Sequence, residues 1–269
     1  MNNGFDNFLD STGKLIETVP DFYDDALSPA AKESGKTLRI LPAAINAAFA
    51  PLRRWIAHQE YSVNETEKLL ELKLKDIDSS KIIEPEPYVA VPALQAISYS
   101  MDNDELRELY ANLLAKSMNI DTKNDVHPSF VEIIKQLSPF EASLLQKLAS
   151  TNEYSFGIVK VRLEKSPTDS EGFEWIKHLI NPKFGLNLTN QTKYTLALEN
   201  LERLQLINIS YSTYLIDDKE YIDIENCNIV SHCKNAGPTL REGYSFVRCK
   251  RGSLNITNLG KIFIEICIK

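Results

Sequence analysis

The order of patterns in the last third of the chain most constrains its fold. Tyr194, Ala197, Leu198, Leu201 and Leu204 recur at helical spacing. The short apolar segment Leu206–Ile209 follows directly. After an acidic insert, the strand-like Tyr244–Cys249 leads into the basic Lys250-Arg-Gly-Ser253. A closing helix is expected beyond Leu254, with Thr257 as its cap and Leu259, Ile262, Phe263 and Ile266 facing inward. Helix, strand, basic hairpin and closing helix is the order of a winged-helix unit. Such a unit makes nucleic-acid or protein contacts.

Upstream, the periodicity is helical. Leu38, Leu41, Ile45, Ala48, Leu52 and Ile56 share one face, although Pro51 kinks or breaks that helix. Val63–Ile77 is a second helix, with Leu70, Leu74 and Ile77 as its stripe. Glu84-Pro-Glu-Pro87 is extended, because residues before proline avoid the helical region. A short helix spans Val91–Tyr99. A longer one, capped by Asp102, carries Leu106, Leu109, Tyr110, Leu113, Leu114 and Met118. His127-Pro-Ser129 opens a further helix. Ser138-Pro-Phe-Glu141 combines a cap, a first-position proline and a capping-box glutamate. Phe156–Leu163 alternates as a strand, whereas Phe173, Ile176, Leu179 and Ile180 predict a short helix.

The expected fold class is mainly α with an α+β C-terminal part. Residues 1–31 form an acidic lead-in, 32–128 a helical domain and 129–269 a winged-helix-like domain. The formal net charge of -7 argues against attraction of the whole chain to nucleic acid but leaves local patches open. The start, Met1-Asn-Asn-Gly-Phe-Asp6, has neither the basic nor the apolar region of a secretory signal. Four cysteines do not suggest a disulfide framework, so a cytoplasmic location is expected. The most apolar run, Ile40–Leu52, is too short to span a bilayer, which takes about 20 apolar residues.

Several separated segments resemble the abortive infection alpha family. They are Ala31–Lys36, Ile83–Pro87 with Val91–Leu94, Leu109–Ala115, Val126–Pro139, Leu198–Ile207 and Leu254–Cys267. The resemblance covers roughly residues 30 to 269, judged from several motifs together. It implies a role in phage defence and carries no catalytic residues with it.

Two surfaces are candidates for contact. In a winged-helix unit the recognition helix would present Asn190, Gln191, Thr192 and Lys193 to base edges. Arg248, Lys250 and Arg251 on the hairpin would grip phosphates. Against this stand Glu199 and Glu202 on the same helix and the acidic insert around Asp217–Glu225. The second surface is the Lys36–His58 helix, with Arg39, Phe49, Arg53, Arg54 and Trp55 at a membrane or an interface. Its alanines suit close helix packing, so a core helix or an oligomer interface is the favoured reading over a membrane surface.

Cys227, His232, Cys233 and Cys249 have metal-ligand chemistry but not the paired spacing of a zinc site, so no metal is expected. His127, His58 and His178 have no partner placed beside them by any motif. No phosphate loop, nucleophile elbow or H-E-x-x-H occurs. The expectation is a non-enzymatic protein without a cofactor or small-molecule substrate. It would act through a protein partner or a second copy of itself. The alternatives are a DNA-binding regulator and a membrane-acting effector.

Overall fold

A computed structural model describes residues 68–269 except Met101 and Asp102. The described residues fall into two compact units. One reaches to Gln136 and takes in Ile266–Lys269, and the other is Leu137–Glu265. The membrane or interface residues Arg39, Phe49, Arg53, Arg54 and Trp55 lie outside the described residues, as does the expected cap Asp102.

The first unit is helical. Helix α1 runs through 68–74, α2 spans Pro87–Tyr99, α3 Asp104–Ser117 and α4 Ser129–Lys135. Helix α2 starts earlier than its periodicity indicates. Pro87 occupies its first turn, and Pro92 is accommodated inside it. Helix α3 begins at the N-cap Asn103, which makes no side-chain cap bond. Helices α2, α3 and α4 pack on one another. They bury Leu94, Ile97, Leu109, Leu113, Phe130 and Ile134. Buried Asn112 donates its amide hydrogen to the Cys267 carbonyl at 2.8 Å, tying the end of the chain into this unit.

The second unit is a mixed α/β fold, which corrects the expected fold class. Helix α5, Pro139–Ala149, starts at the expected capping box. Ser138 accepts from the Glu141 amide and Glu141 accepts from the Ser138 amide. Strands β1 (Ser155–Glu164) and β2 (Gly172–Leu179) follow, then α6 (Gln191–Arg203) and β3 (Ile207–Ser210). Helices α7 (Lys219–Glu225) and α8 (Asn228–Leu240) precede β4 (Phe246–Ile256) and α9 (Asn258–Phe263). The strands form one antiparallel sheet in the order β2-β1-β4-β3.

The winged-helix expectation does not survive this topology. Strands β3 and β4 are neighbours, but α7 and α8 lie between them in the chain. The basic Lys250-Arg-Gly-Ser253 is no hairpin tip. It lies inside β4 and pairs with Gly157–Lys160 of β1. Gly252 is needed there for close approach and not for turning. A Cβ at that position would stand 2.3 Å from the Ser210 carbonyl oxygen and 2.6 Å from the Tyr211 ring.

The segment expected as a short helix near Phe173 is strand β2. Phe173, Ile176 and Leu179 face Leu163, Val161 and Val159 across the ladder. Three residues of β2 thus match two of β1 in each step. Each step holds a β-bulge, and the bulges turn an alternating strand into an i, i+3, i+6 apolar pattern. His178 sits in the second bulge with φ of 58°. The expected closing helix is present, with Thr257 accepting from the Gly260 amide at 2.9 Å.

Candidate functional site

The β1–β4 ladder is regular from Ser155–Asn255 to Glu164–Phe246. Alternation therefore sorts its side chains onto two faces. On one face lie Val159, Val161, Leu163, Val247 and Cys249, covered by α7 and α8. The opposite face is buried at one end through Phe156, Ile158 and Leu254. At its other end that face is cationic. Lys160 stands opposite Lys250, and Arg162 stands opposite Arg248. Like charges directly across a ladder cost stability, so two successive rungs of this kind are not what packing alone would select.

Two carboxylates organise these cations. Glu164, itself buried, accepts from Arg162 Nε at 3.0 Å with one oxygen and from Arg248 Nε at 2.6 Å with the other. Burial pushes the Glu164 carboxyl up, but the hydrogen bonds from Arg248 and Arg162 outweigh it and hold the group below its ordinary value. The guanidinium groups also donate to backbone carbonyls, Arg248 to Pro167 at 2.8 Å and Arg162 to Gly172 at 3.3 Å. Glu174 of β2 pairs with Lys160 and is likewise held below the ordinary carboxylate range, chiefly by that hydrogen bond. Lys250 is exposed and forms no ion pair among the described residues.

Aromatic rings mark both ends of the cationic block. At one end the Arg248 guanidinium lies 4.9 Å from the centre of the Phe246 ring. At the other, Tyr211 covers Gly252, with Lys160 Nζ 4.6 Å from its ring centre. The Tyr211 hydroxyl accepts the His178 backbone N–H at 3.2 Å and lies 3.2 Å from His178 Nδ1. The arrangement that satisfies all these groups has the hydroxyl proton on the Nδ1 side and the imidazole proton on Nε2. Nε2 then faces Glu199, 3.7 Å away. Burial holds the His178 imidazole below its ordinary value despite that neighbour.

Three of the four residues expected to read bases make side-chain contacts within the protein. Asn190 Oδ1 accepts from the Asn187 backbone amide at 2.8 Å, and Asn190 Nδ2 donates to the Gly185 carbonyl at 2.9 Å. Gln191 donates to the Thr195 hydroxyl at 2.9 Å. The Lys193 ammonium lies 4.3 Å from the centre of the Phe140 ring. Thr192 is exposed at the start of α6. The three expected phosphate contacts are divided between faces. Arg248 and Lys250 share the cationic face, whereas Arg251 lies on the other and pairs with Glu225 and Asp218 of the α7 region. Lys160, Arg162, Glu164 and Tyr211 escaped sequence reasoning. The alternation Lys160-x-Arg162-x-Glu164 within a strand otherwise rich in β-branched residues was the available signal.

The remaining candidates are local. His127 Nδ1 accepts from the Ser129 amide at 3.1 Å and lies 2.7 Å from its hydroxyl, which closes the start of α4. Burial pushes the Cys233 and Cys249 thiols up to about 11, the direction of unreactive side chains. Among the described residues no three His, Cys, Asp or Glu side chains group as a metal set, and no helix is long and apolar enough to cross a membrane.

Comparison with known proteins adds family but little fold. No curated protein matches the chain. A solved structure of an uncharacterized protein from the marine bacterium Alcanivorax borkumensis SK2 is similar at 15% identity. The match covers 52% of this chain and 92% of that one, with a TM-score of 0.32. The family model described as abortive infection alpha matches residues 58–267. On that match, which takes in both described units, the chain belongs to the abortive infection alpha family.

Proposed function

We propose that this protein is a phage-defence component that acts by binding, without catalysis, and that the cationic end of the β1–β4 face is its contact surface. Family membership supports the defence role. The opposed pairs Lys160–Lys250 and Arg162–Arg248 carry the binding role. Glu164 and Glu174 offset only two of the four positive charges, which leaves the face net positive with Lys250 exposed and without an ion pair among the described residues. An anionic partner would supply the remaining negative charge, and we take that partner to be a macromolecule.

Phage plaque counts on a host producing the protein test this proposal. The variant combines Lys250→Glu with Arg248→Gln. Lys250 has no ion pair to lose among the described residues, and Glu164 keeps Arg162 when Arg248 is changed. The expected result is loss of protection by a variant that still unfolds cooperatively, and so is folded, at growth temperature. Full protection by a folded variant would remove the contact surface. Absence of protection by the wild type across a broad phage panel would remove the defence role.

A further inference from the structure

The cationic face has a shape as well as a charge. Successive same-face positions on β4 are Phe246, Arg248, Lys250 and Gly252, and Gly252 lies under Tyr211. At roughly 3.4 Å per residue, Phe246 and Lys250 are about 14 Å apart along the strand. The facing row on β1 is Glu164, Arg162 and Lys160. Adjacent strands lie about 4.8 Å apart, so the cations form a narrow double row with a half-buried aromatic ring at one end. Four cations stand there against the two carboxylates Glu164 and Glu174.

We propose that this row binds single-stranded nucleic acid, with backbone phosphates on Lys250, Arg248 and Arg162 and a base against Phe246. The inference rests on the contact-surface proposal above and names its ligand. Glu164 fixes two guanidinium groups side by side, and guanidinium forks match phosphate oxygens. Arg248 over Phe246 makes a cation–aromatic stack of the kind on which unpaired bases lie. A base inside a duplex has no free face for such a stack. The residues suited to reading a duplex groove, Asn190 and Gln191, spend their side chains within the protein. An acidic protein would meet the cations but would leave Phe246 without a role.

Fluorescence polarisation with a labelled single-stranded DNA, an RNA of the same sequence and the matching DNA duplex, each at several salt concentrations, tests the proposal on the full chain. The single strands are expected to bind more tightly than the duplex. Their log affinity should fall with log salt by about 0.7 per phosphate neutralised. Lys250→Ala should reduce that slope by about one phosphate's share. Phe246→Leu should weaken binding about tenfold. Lys234→Glu, an exposed change on α8, should alter neither. The tighter of the DNA and RNA strands identifies the source, because only RNA offers a 2′-hydroxyl. Lys250→Ala disturbs no ion pair among the described residues, so it remains informative if Phe246→Leu fails to fold.

Failure of both single strands to bind the wild type, equal affinity for duplex, or an unchanged slope in Lys250→Ala would each overturn the proposal. If both strands fail and Lys250→Glu/Arg248→Gln still loses phage protection, the contact surface stands and its ligand is an acidic protein. If the strands bind as expected and that variant still protects, the ligand stands and the link to defence fails.

Discussion

Lys160 and Lys250 stand directly opposite each other on β1 and β4, with Arg162 and Arg248 opposed in the same way two residues along. Glu174 neutralises Lys160 from the neighbouring strand, while Lys250 projects into solvent. Replacing Lys250 by glutamate turns a like-charge rung into an opposite-charge pair. A gain in stability of roughly 0.2–1 kcal/mol is expected, because cross-strand pairs contribute on that scale. Urea unfolding at low salt should show a raised midpoint, and high salt should shrink the gain. The same change should cost binding. A midpoint that falls would mean that the rung carries no net repulsion.

Gly252 ties the cationic face to the loop after β3. A methyl group there would meet the Ser210 carbonyl and the Tyr211 ring at distances no side chain adopts. Gly252→Ala should therefore force the loop away from β4. The buried Tyr221 hydroxyl would move with it, since it donates to the Gly252 carbonyl at 2.8 Å and accepts from the Leu215 amide at 2.7 Å. The expected loss is about 1–3 kcal/mol, the usual range for overpacking. It is measured by chemical unfolding and by amide exchange over residues 210–215. Unchanged exchange in that loop would show that the close approach is not what fixes glycine at this position.

What could be read from the chain follows from how local each signal is. Ser138 and Glu141 announce their helix because both halves of a capping box lie within four residues. Thr257 does the same for α9. The bulges of β2 could not be read this way. They exist only relative to β1, and their effect on the sequence is to space Phe173, Ile176 and Leu179 like a helix. Gly252 misled for a related reason. A glycine beside basic residues looks like a turn until the chain that presses on it is known. The candidate site was half legible. Arg248 and Lys250 stood out as a basic cluster, but Lys160 and Arg162 join them only through the pairing of strands far apart in sequence.

The capping box makes a separate prediction. Ser138→Ala removes the acceptor for the Glu141 amide and should cost about 1 kcal/mol. Glu141 is buried and takes the Ser138 amide at 2.6 Å, so Glu141→Ala should cost at least as much. Thermal unfolding of the two single variants and the double variant checks this. Because the two bonds close one ring of contacts, the double variant should lose less than the sum. Strict additivity would show that the two bonds act independently.

Acidification should lower the stability of the protein in two steps. Burial holds the His178 imidazole below its unfolded value, and Lys177 pushes it in the same direction. Glu199, Glu202 and Glu174 oppose this without prevailing. The unfolded chain then binds the extra proton first, so stability rises with pH through this window. The contribution is complete above about pH 6.5 and is lost as pH falls through the folded value. Its steepest slope is about 1.4 kcal/mol per pH unit. Glu174, depressed by its hydrogen bond from Lys160, contributes to the second step, and so does Glu164. Burial raises its carboxyl, but Arg248 and Arg162 lower it further, leaving it depressed in the folded state. Its contribution is complete above about pH 4.3 and is lost as pH falls through the folded value. Asparagine tolerates the positive φ at position 178, so His178→Asn should abolish the first step and leave the second. Urea midpoints measured on both proteins from neutral pH down to the most acid pH at which each still folds separate the two steps. An identical decline above pH 5 in both would show that His178 is not the group that titrates.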